Sequence, residues 1–207
     1  MQEVPKLSTN LQITESLLRR PKNQEVRSRE YLRPKEVEKL IDAAKSVGRH
    51  KVRDSVLILM MFRHGLRVNE AINLRWDCID WGTAHIHVNR LKHGSPSVQP
   101  IDGKEMRLLR SLERSQGEEP LPWLFVSERR SPLTDHTVRK MVSRAGEIAG
   151  FNFPVHPHML RHSCGYYLAS KGWDTRLIQD YLGHKQIQHT VKYTQLAPNR
   201  FNAIRWD

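Results

Sequence analysis

The spacing of hydrophobic residues changes character several times along the 207-residue chain. Residues 1–30 mix charge, Gln, Asn, Ser and Pro with few apolar anchors beyond Leu11, Ile13, Leu17 and Leu18. That pattern predicts an arm, mobile or only locally helical. From Leu32-Arg33-Pro34 the chain becomes periodic. Val37, Leu40, Ile41 and Ala44 recur at helical spacing behind a proline that suits a first turn. Val52 to Arg63 is apolar on most sides, as a central core helix is, and His64-Gly65 ends it. Ala71, Ile72 and Leu74 mark a short third helix. Between 76 and 101 the period drops to two. Ala84, Ile86 and Val88 alternate with His85, His87 and Asn89, Lys92 to Pro96 turn the chain, and Val98 to Ile101 run back. This predicts a hairpin in a three-stranded sheet whose first strand lies near Cys78 to Trp81. Helical spacing returns over Lys104 to Arg114 and Thr134 to Ala149, on either side of a Pro- and Gly-rich loop and a short strand at Leu124 to Ser127. In the second helix Val138, Met141, Val142, Ala145 and Ile148 supply the buried face.

His156 to Thr194 holds the densest signals. Pro157 opens a helix from His158 to Lys171, with Leu160, Cys164 and Leu168 on one face and His158, Arg161 and Gly165 on another. The first face reads as core and the second as free for chemistry. Gly172 ends this helix and Asp174 caps the next. Leu177, Ile178, Tyr181 and Leu182 form its apolar stripe, and Gly183 stops it. His184 follows, then Tyr193, and the remaining residues leave room for one short helix anchored by Phe201, Ile204 and Trp206. The expected fold class is mainly α with a small antiparallel β-sheet (α+β), with an arm over 1–30 and one domain over 31–207.

Charge narrows the partner. Lys and Arg total 34 against 22 Asp and Glu, a formal net charge of +12, which favours a polyanion. Cys78 and Cys164 are the only cysteines, so no disulfide scaffold is expected and a reducing compartment fits. The N-terminus lacks the apolar core of a signal peptide, and the longest apolar run, Val56 to Phe62, is far short of a membrane span. A cytoplasmic protein with no membrane partner is expected. His158 and His162, four apart on a helix, invite a metal reading. No acidic or cysteine ligand accompanies them, and Arg161 between them would set a cation against the metal. Neither a phosphate-binding glycine loop nor a His-Glu-x-x-His motif is present, and no cofactor is expected.

Three blocks occur in register: HPHMLRHSCGY at 156–166, DTRLIQDYLGH at 174–184 and HTVKYT at 189–194. Upstream stand GLRVNEAINL at 65–74 and LKHG at 91–94. Together they resemble the tyrosine recombinase (phage integrase) family, and most of all its short fimbrial phase-variation invertases. The resemblance spans about residues 31–197 and implies the tyrosine recombinase catalytic-domain fold, a DNA breaking-rejoining enzyme. It implies Arg67, Lys92, His158, Arg161, His184 and Tyr193 as the catalytic set, with Glu70 supporting Arg67. Arg90 and Lys104 are fallback candidates for the lysine. In this scheme Tyr193 attacks phosphorus to give a 3′-phosphotyrosyl link and His158 accepts its proton. Arg67 and Arg161 fork onto non-bridging oxygens, Lys92 protonates the leaving 5′-oxygen, and His184 donates a hydrogen bond to the phosphate. The partners implied are double-stranded recombination sites in the nucleoid, three further copies of the chain in a tetramer on DNA, and DNA-bending accessory proteins. Arg90, Arg139, Lys140 and Arg144 are further candidates for phosphate contact. The family usually places a helical core-binding domain before the catalytic one, whereas only the arm of residues 1–30 stands there in this sequence. Type IB topoisomerase chemistry, and a DNA-binding regulator that lost catalysis, remain as alternatives.

Overall fold

The computed structural model describes residues 29–91, 94–117 and 121–195, together with Phe201 and Trp206. The chain divides into two units, Met1–Glu30 and Tyr31–Asp207, and the described helices and strands lie in the second. The expected arm falls almost wholly outside the described residues.

Helix α1 (Pro34–Ser46) has its proline in the first turn, and Glu36 reaches back to accept from the Arg33 N–H at 2.7 Å. Val37, Leu40, Ala43 and Ala44 are its buried face. Helix α2 (Lys51–Arg63) is buried continuously from Ser55 to Met61, because other helices surround it. That explains the all-round apolar sequence. After the short α3 (Val68–Ile72) and a single 3₁₀ turn at Trp76–Cys78 come β1 (Ile79–Asp80), β2 (His85–Val88) and β3 (Ser97–Pro100). They form an antiparallel sheet in the order β1-β2-β3, with Ile79 opposite Ile86 and His87 opposite Val98. Ile86 and Val88 point inward as their alternation predicts. On β3 the polar Gln99 is the buried residue and Val98 is exposed, since Gln99 hydrogen-bonds His64 and the Tyr181 carbonyl inside.

Helix α4 (Gly103–Ser115) is capped by Asp102, and α5 (Asp135–Ile148) by Thr134. The strand expected at Leu124 to Ser127 does not form. Leu124 and Phe125 are fully buried, but the segment makes only the isolated bridges Arg75–Trp123 and Val126–Pro132. Burial of a short apolar run requires no ladder. Three helices complete the chain: α6 (Pro157–Ser170), α7 (Thr175–Leu182) and α8 (Gln188–Gln195). Helix α6 joins two cores. Met159 and Leu160 enter the main one, while Cys164 and Ala169 pack with Ile178, Leu182 and Tyr193 in a smaller one. Four expected core positions are corrected at the periphery: Ile148 and Leu177 are exposed, as are Phe201 (66%) and Trp206 (94%) beyond α8, while Ile204 lies outside the described residues. Among the described residues no helix is long and apolar enough to cross a membrane.

Candidate active site

The site starts from a glycine. Gly65 follows α2 with φ of +57°, a conformation that strains L side chains, and a Cβ there would collide with Leu182. So turned, its carbonyl accepts from the guanidiniums of both Arg161 and Arg90. Two residues on, Arg67 is the N-cap of α3 in extended conformation, which places Glu70 one turn later, directly beneath it. One Glu70 oxygen takes the Arg67 guanidinium at 2.6 Å, and the other accepts the Arg67 backbone N–H at 2.9 Å.

Glu70 gathers three cations. Arg90 Nη1 lies 2.9 Å from it and Arg161 Nη1 3.8 Å, and all but the Arg67 side chain are buried around it. Burial pushes the Glu70 carboxyl up, but the Arg67 backbone N–H, the Arg90 cation and the remaining partners overcome it and hold the pKa below the ordinary carboxylate value. Arg161, 1% exposed, donates also to the Leu182 carbonyl at 2.7 Å. Burial first, then repulsion from Arg67 and Arg90, lowers its pKa to about 10, which leaves it cationic at neutral pH. Three guanidiniums against one carboxylate leave an excess of two positive charges, with Arg67 (side chain 30% exposed) as the open face. Such a cluster suits a phosphate that gains negative charge as it reacts.

The other half of the site is aromatic. His184, just past the left-handed Gly183, hydrogen-bonds Thr190 through Nδ1 at 2.8 Å and stacks on the Tyr193 ring, centroids 6.2 Å apart. Tyr193 is 1% exposed and lies against Gly165 of α6, where a Cβ would come within 2.6 Å of its ring. Its hydroxyl is 2.8 Å from Nδ1 of His162. His158 meets His162 edge to face at 4.4 Å, is exposed, and makes no side-chain hydrogen bond among the described residues. All three histidines are held neutral. Desolvation by the packed groups around it lowers His158 to about 4 despite its surface exposure, and burial lowers His184 to about 3, with Arg161 the next cause in both; burial and then His158 lower His162 to about 2. Burial raises the Tyr193 phenol well above its ordinary value, against the pull of Arg161.

The structure thus brings Arg67, Glu70, His158, Arg161, His184 and Tyr193 together. Lys92 lies outside the described residues. Arg90 is a correction: its side chain is fully buried between Glu70 and the carbonyls of Gly65, His64 and Tyr181, so it has no surface to offer DNA. Its role is to tie the hairpin to α7. Lys104 is exposed on α4, and Arg139, Lys140 and Arg144 are exposed on α5, Arg139 paired with Asp135 at 2.9 Å. On the face of α6 expected to be free for chemistry, Arg161 and Gly165 are buried and His158 is exposed. The Tyr193 hydroxyl is bonded to His162 and not to His158, the proton acceptor that the resemblance implies. The available signal was the spacing, since His162 stands one turn from His158 and beside Arg161.

Residues 30–200 match the phage integrase family. The type 1 fimbriae regulatory protein FimB of Escherichia coli K12 is 41% identical over 184 residues, covering 87% of this chain and 91% of FimB. Among solved structures, XerA recombinase superposes with a TM-score of 0.73 at 28% identity, over 85% of this chain and 66% of that one. XerH recombinase bound to its difH substrate before cleavage superposes at 0.71 and 24% identity, over 84% of this chain and 53% of XerH, and so speaks for the fold. The chain spans about two thirds and about half of those two solved chains. By this match and by the FimB likeness over nearly its whole length, the protein belongs to the phage integrase family.

Proposed function

We propose that the protein is a site-specific DNA recombinase that cuts and rejoins strands through a 3′-phosphotyrosyl link on Tyr193. One observation carries the reading: Arg67 and Arg161, 94 positions apart, converge on Glu70, and the helix that carries Arg161 also holds His162 at 2.8 Å from the Tyr193 hydroxyl, while His184 stacks on the Tyr193 ring. The scissile phosphate rests against Arg67 and Arg161, whose planar guanidiniums match its non-bridging oxygens. A histidine of α6 takes the phenolic proton as the Tyr193 oxygen bonds to phosphorus. The bond to the 5′-oxygen breaks, and Lys92 supplies that oxygen with a proton. His184, its Nδ1 occupied by Thr190, turns Nε2 to the phosphate. The covalent link conserves the diester energy, so a 5′-hydroxyl from another duplex reverses the step without ATP or metal.

A tetramer on two duplexes, in the cytoplasm and on the nucleoid, completes the scheme. DNA-bending proteins assist it, and residues 1–30 act as an accessory arm to a catalytic unit over 31–207. Exposed Arg139, Lys140 and Arg144 on α5 add phosphate contacts. The likeness to FimB over nearly the whole of both chains favours inversion of a segment between inverted repeats. The test is a plasmid carrying the inverted repeats that flank the gene, beside a supercoiled plasmid without them, in EDTA. Inversion confined to the first plasmid is expected. Relaxation of both without exchange would show a topoisomerase, and binding without a covalent adduct on a nicked substrate would show a regulator.

A further inference from the structure

We propose that His162, one turn after His158 on α6, is the group that takes the proton of Tyr193, and that it does so only once a phosphate fills the arginine cluster. The proposal rests on Tyr193 being the nucleophile. Gly165 and the smaller core fix the tyrosine ring, and the fixed hydroxyl meets Nδ1 of His162 at 2.8 Å, its one hydrogen bond among the described residues. His158, exposed and without such a bond, is left to face the substrate.

The direction of the bond follows from acid strength. A phenol is a better donor than a neutral imidazole, and an imidazole nitrogen is a better acceptor than a phenol oxygen, so Tyr193 donates to Nδ1 and the ring proton sits on Nε2. In the reaction the Tyr193 oxygen bonds to phosphorus and its proton moves to Nδ1. The phosphorus–5′-oxygen bond breaks, and the 5′-oxygen is protonated by Lys92. The groups that face His162 are Tyr193 and Lys192 from α8, and His156, His158 and Arg161 from α6 and its entry. In the protein alone their positive field and the burial of the ring oppose a second proton, so the phenol stays intact. A bound phosphodiester puts negative charge beside Arg161 and reverses that field. The nucleophile is thereby matched to an occupied site, and an empty one is spared reactive phenolate.

The test compares wild type, His162→Ala, His162→Gln and His158→Ala on two nicked duplexes, one with a normal scissile phosphate and one with sulfur in place of the bridging 5′-oxygen. Sulfur leaves without a proton, so it rescues loss of the acid and not loss of the acceptor. His162→Ala should form the covalent adduct about a hundred- to ten-thousandfold more slowly on both duplexes. Added imidazole should restore part of the rate, and the residual rate should climb with pH as hydroxide ionises the phenol while wild type stays flat. Adduct formation by His162→Ala at the wild-type rate or faster would overturn the proposal, as would the imidazole rescue appearing in His158→Ala. A separate readout needs no DNA: the ¹⁵N resonance of His162 Nδ1 should move in Tyr193→Phe. An unmoved resonance refutes the hydrogen bond, whereas wild type that never forms an adduct refutes the recombinase reading itself.

Discussion

The arginine cluster and the tyrosine helix are built in different ways. Around Glu70, side chains from α3, the β2–β3 connection and α6 are clamped by a carboxylate and by backbone carbonyls of Gly65, His64, Leu182 and Tyr181. The Arg90 and Arg161 guanidiniums are each anchored through several bonds, whereas that of Arg67 is held by Glu70. Helix α8 is eight residues long and, besides the packing of Tyr193 in the smaller core, is tied to its neighbours among the described residues by single side-chain hydrogen bonds from Tyr193 to His162, Thr194 to Thr175, and Thr190 to His184. Each such bond is worth about 1 kcal/mol. The groups that hold charge are prebuilt, because a reorganising dipole would lose much of its effect on a developing charge. The proposed nucleophile sits on the helix whose polar ties exchange at little cost, with its hydroxyl already against His162.

The largest effect expected is on the cluster. Arg161→Ala should lower cleavage about a hundred- to a thousandfold and also destabilise the fold, since it leaves buried carbonyls of Gly65 and Leu182 without that donor. Arg67→Ala should match it in rate with a smaller loss of stability, because its side chain is 30% exposed; urea unfolding beside adduct kinetics separates the two. Next comes Glu70→Gln, which removes the one carboxylate among three guanidiniums. A loss of about 3–5 kcal/mol in unfolding free energy is expected, and a near-neutral result would break the view of Glu70 as the keystone.

On the tyrosine side, Gly165→Ala drives a methyl group into the Tyr193 ring. The cost is about 1–3 kcal/mol, and the displaced hydroxyl should cut adduct formation while binding of uncleaved DNA stays as in wild type. Smallest is a pH effect. Unfolded histidine titrates near about 6.5, and folded His162 near about 2. As pH falls below about 6.5 the unfolded chain binds the proton first, so stability falls with it, by up to about 1.4 kcal/mol per pH unit for this buried group, and the loss continues until the folded value is reached. The urea midpoint should therefore drop between pH 7 and pH 5, less steeply in His162→Gln.

Local signals made most of the fold legible. Pro34 and Pro157 open helices, Asp174 caps one, Gly65, Gly172 and Gly183 end three, and the alternation of Ile86 and Val88 marks the hairpin. The segment Leu124 to Ser127 misled because an apolar run states that it is buried and not whether it has a partner strand. In the site, Arg67, His158, Arg161, His184 and Tyr193 could be named from motif spacing. That Arg90 is a buried strut could not, for it depends on which distant carbonyls end up opposite it, and the spacing that sets His162 one turn from His158 does not say which of the two meets the tyrosine hydroxyl.

The most direct measurement is the location of the covalent bond. After reaction with a nicked duplex, trypsin should release residues 193–200, cut free at Lys192 and Arg200, carrying a nucleotide 3′-phosphate on Tyr193. The account predicts that modified peptide in wild type and none in Tyr193→Phe. A nucleotide on any other residue, or an adduct that persists in the phenylalanine variant, would contradict it.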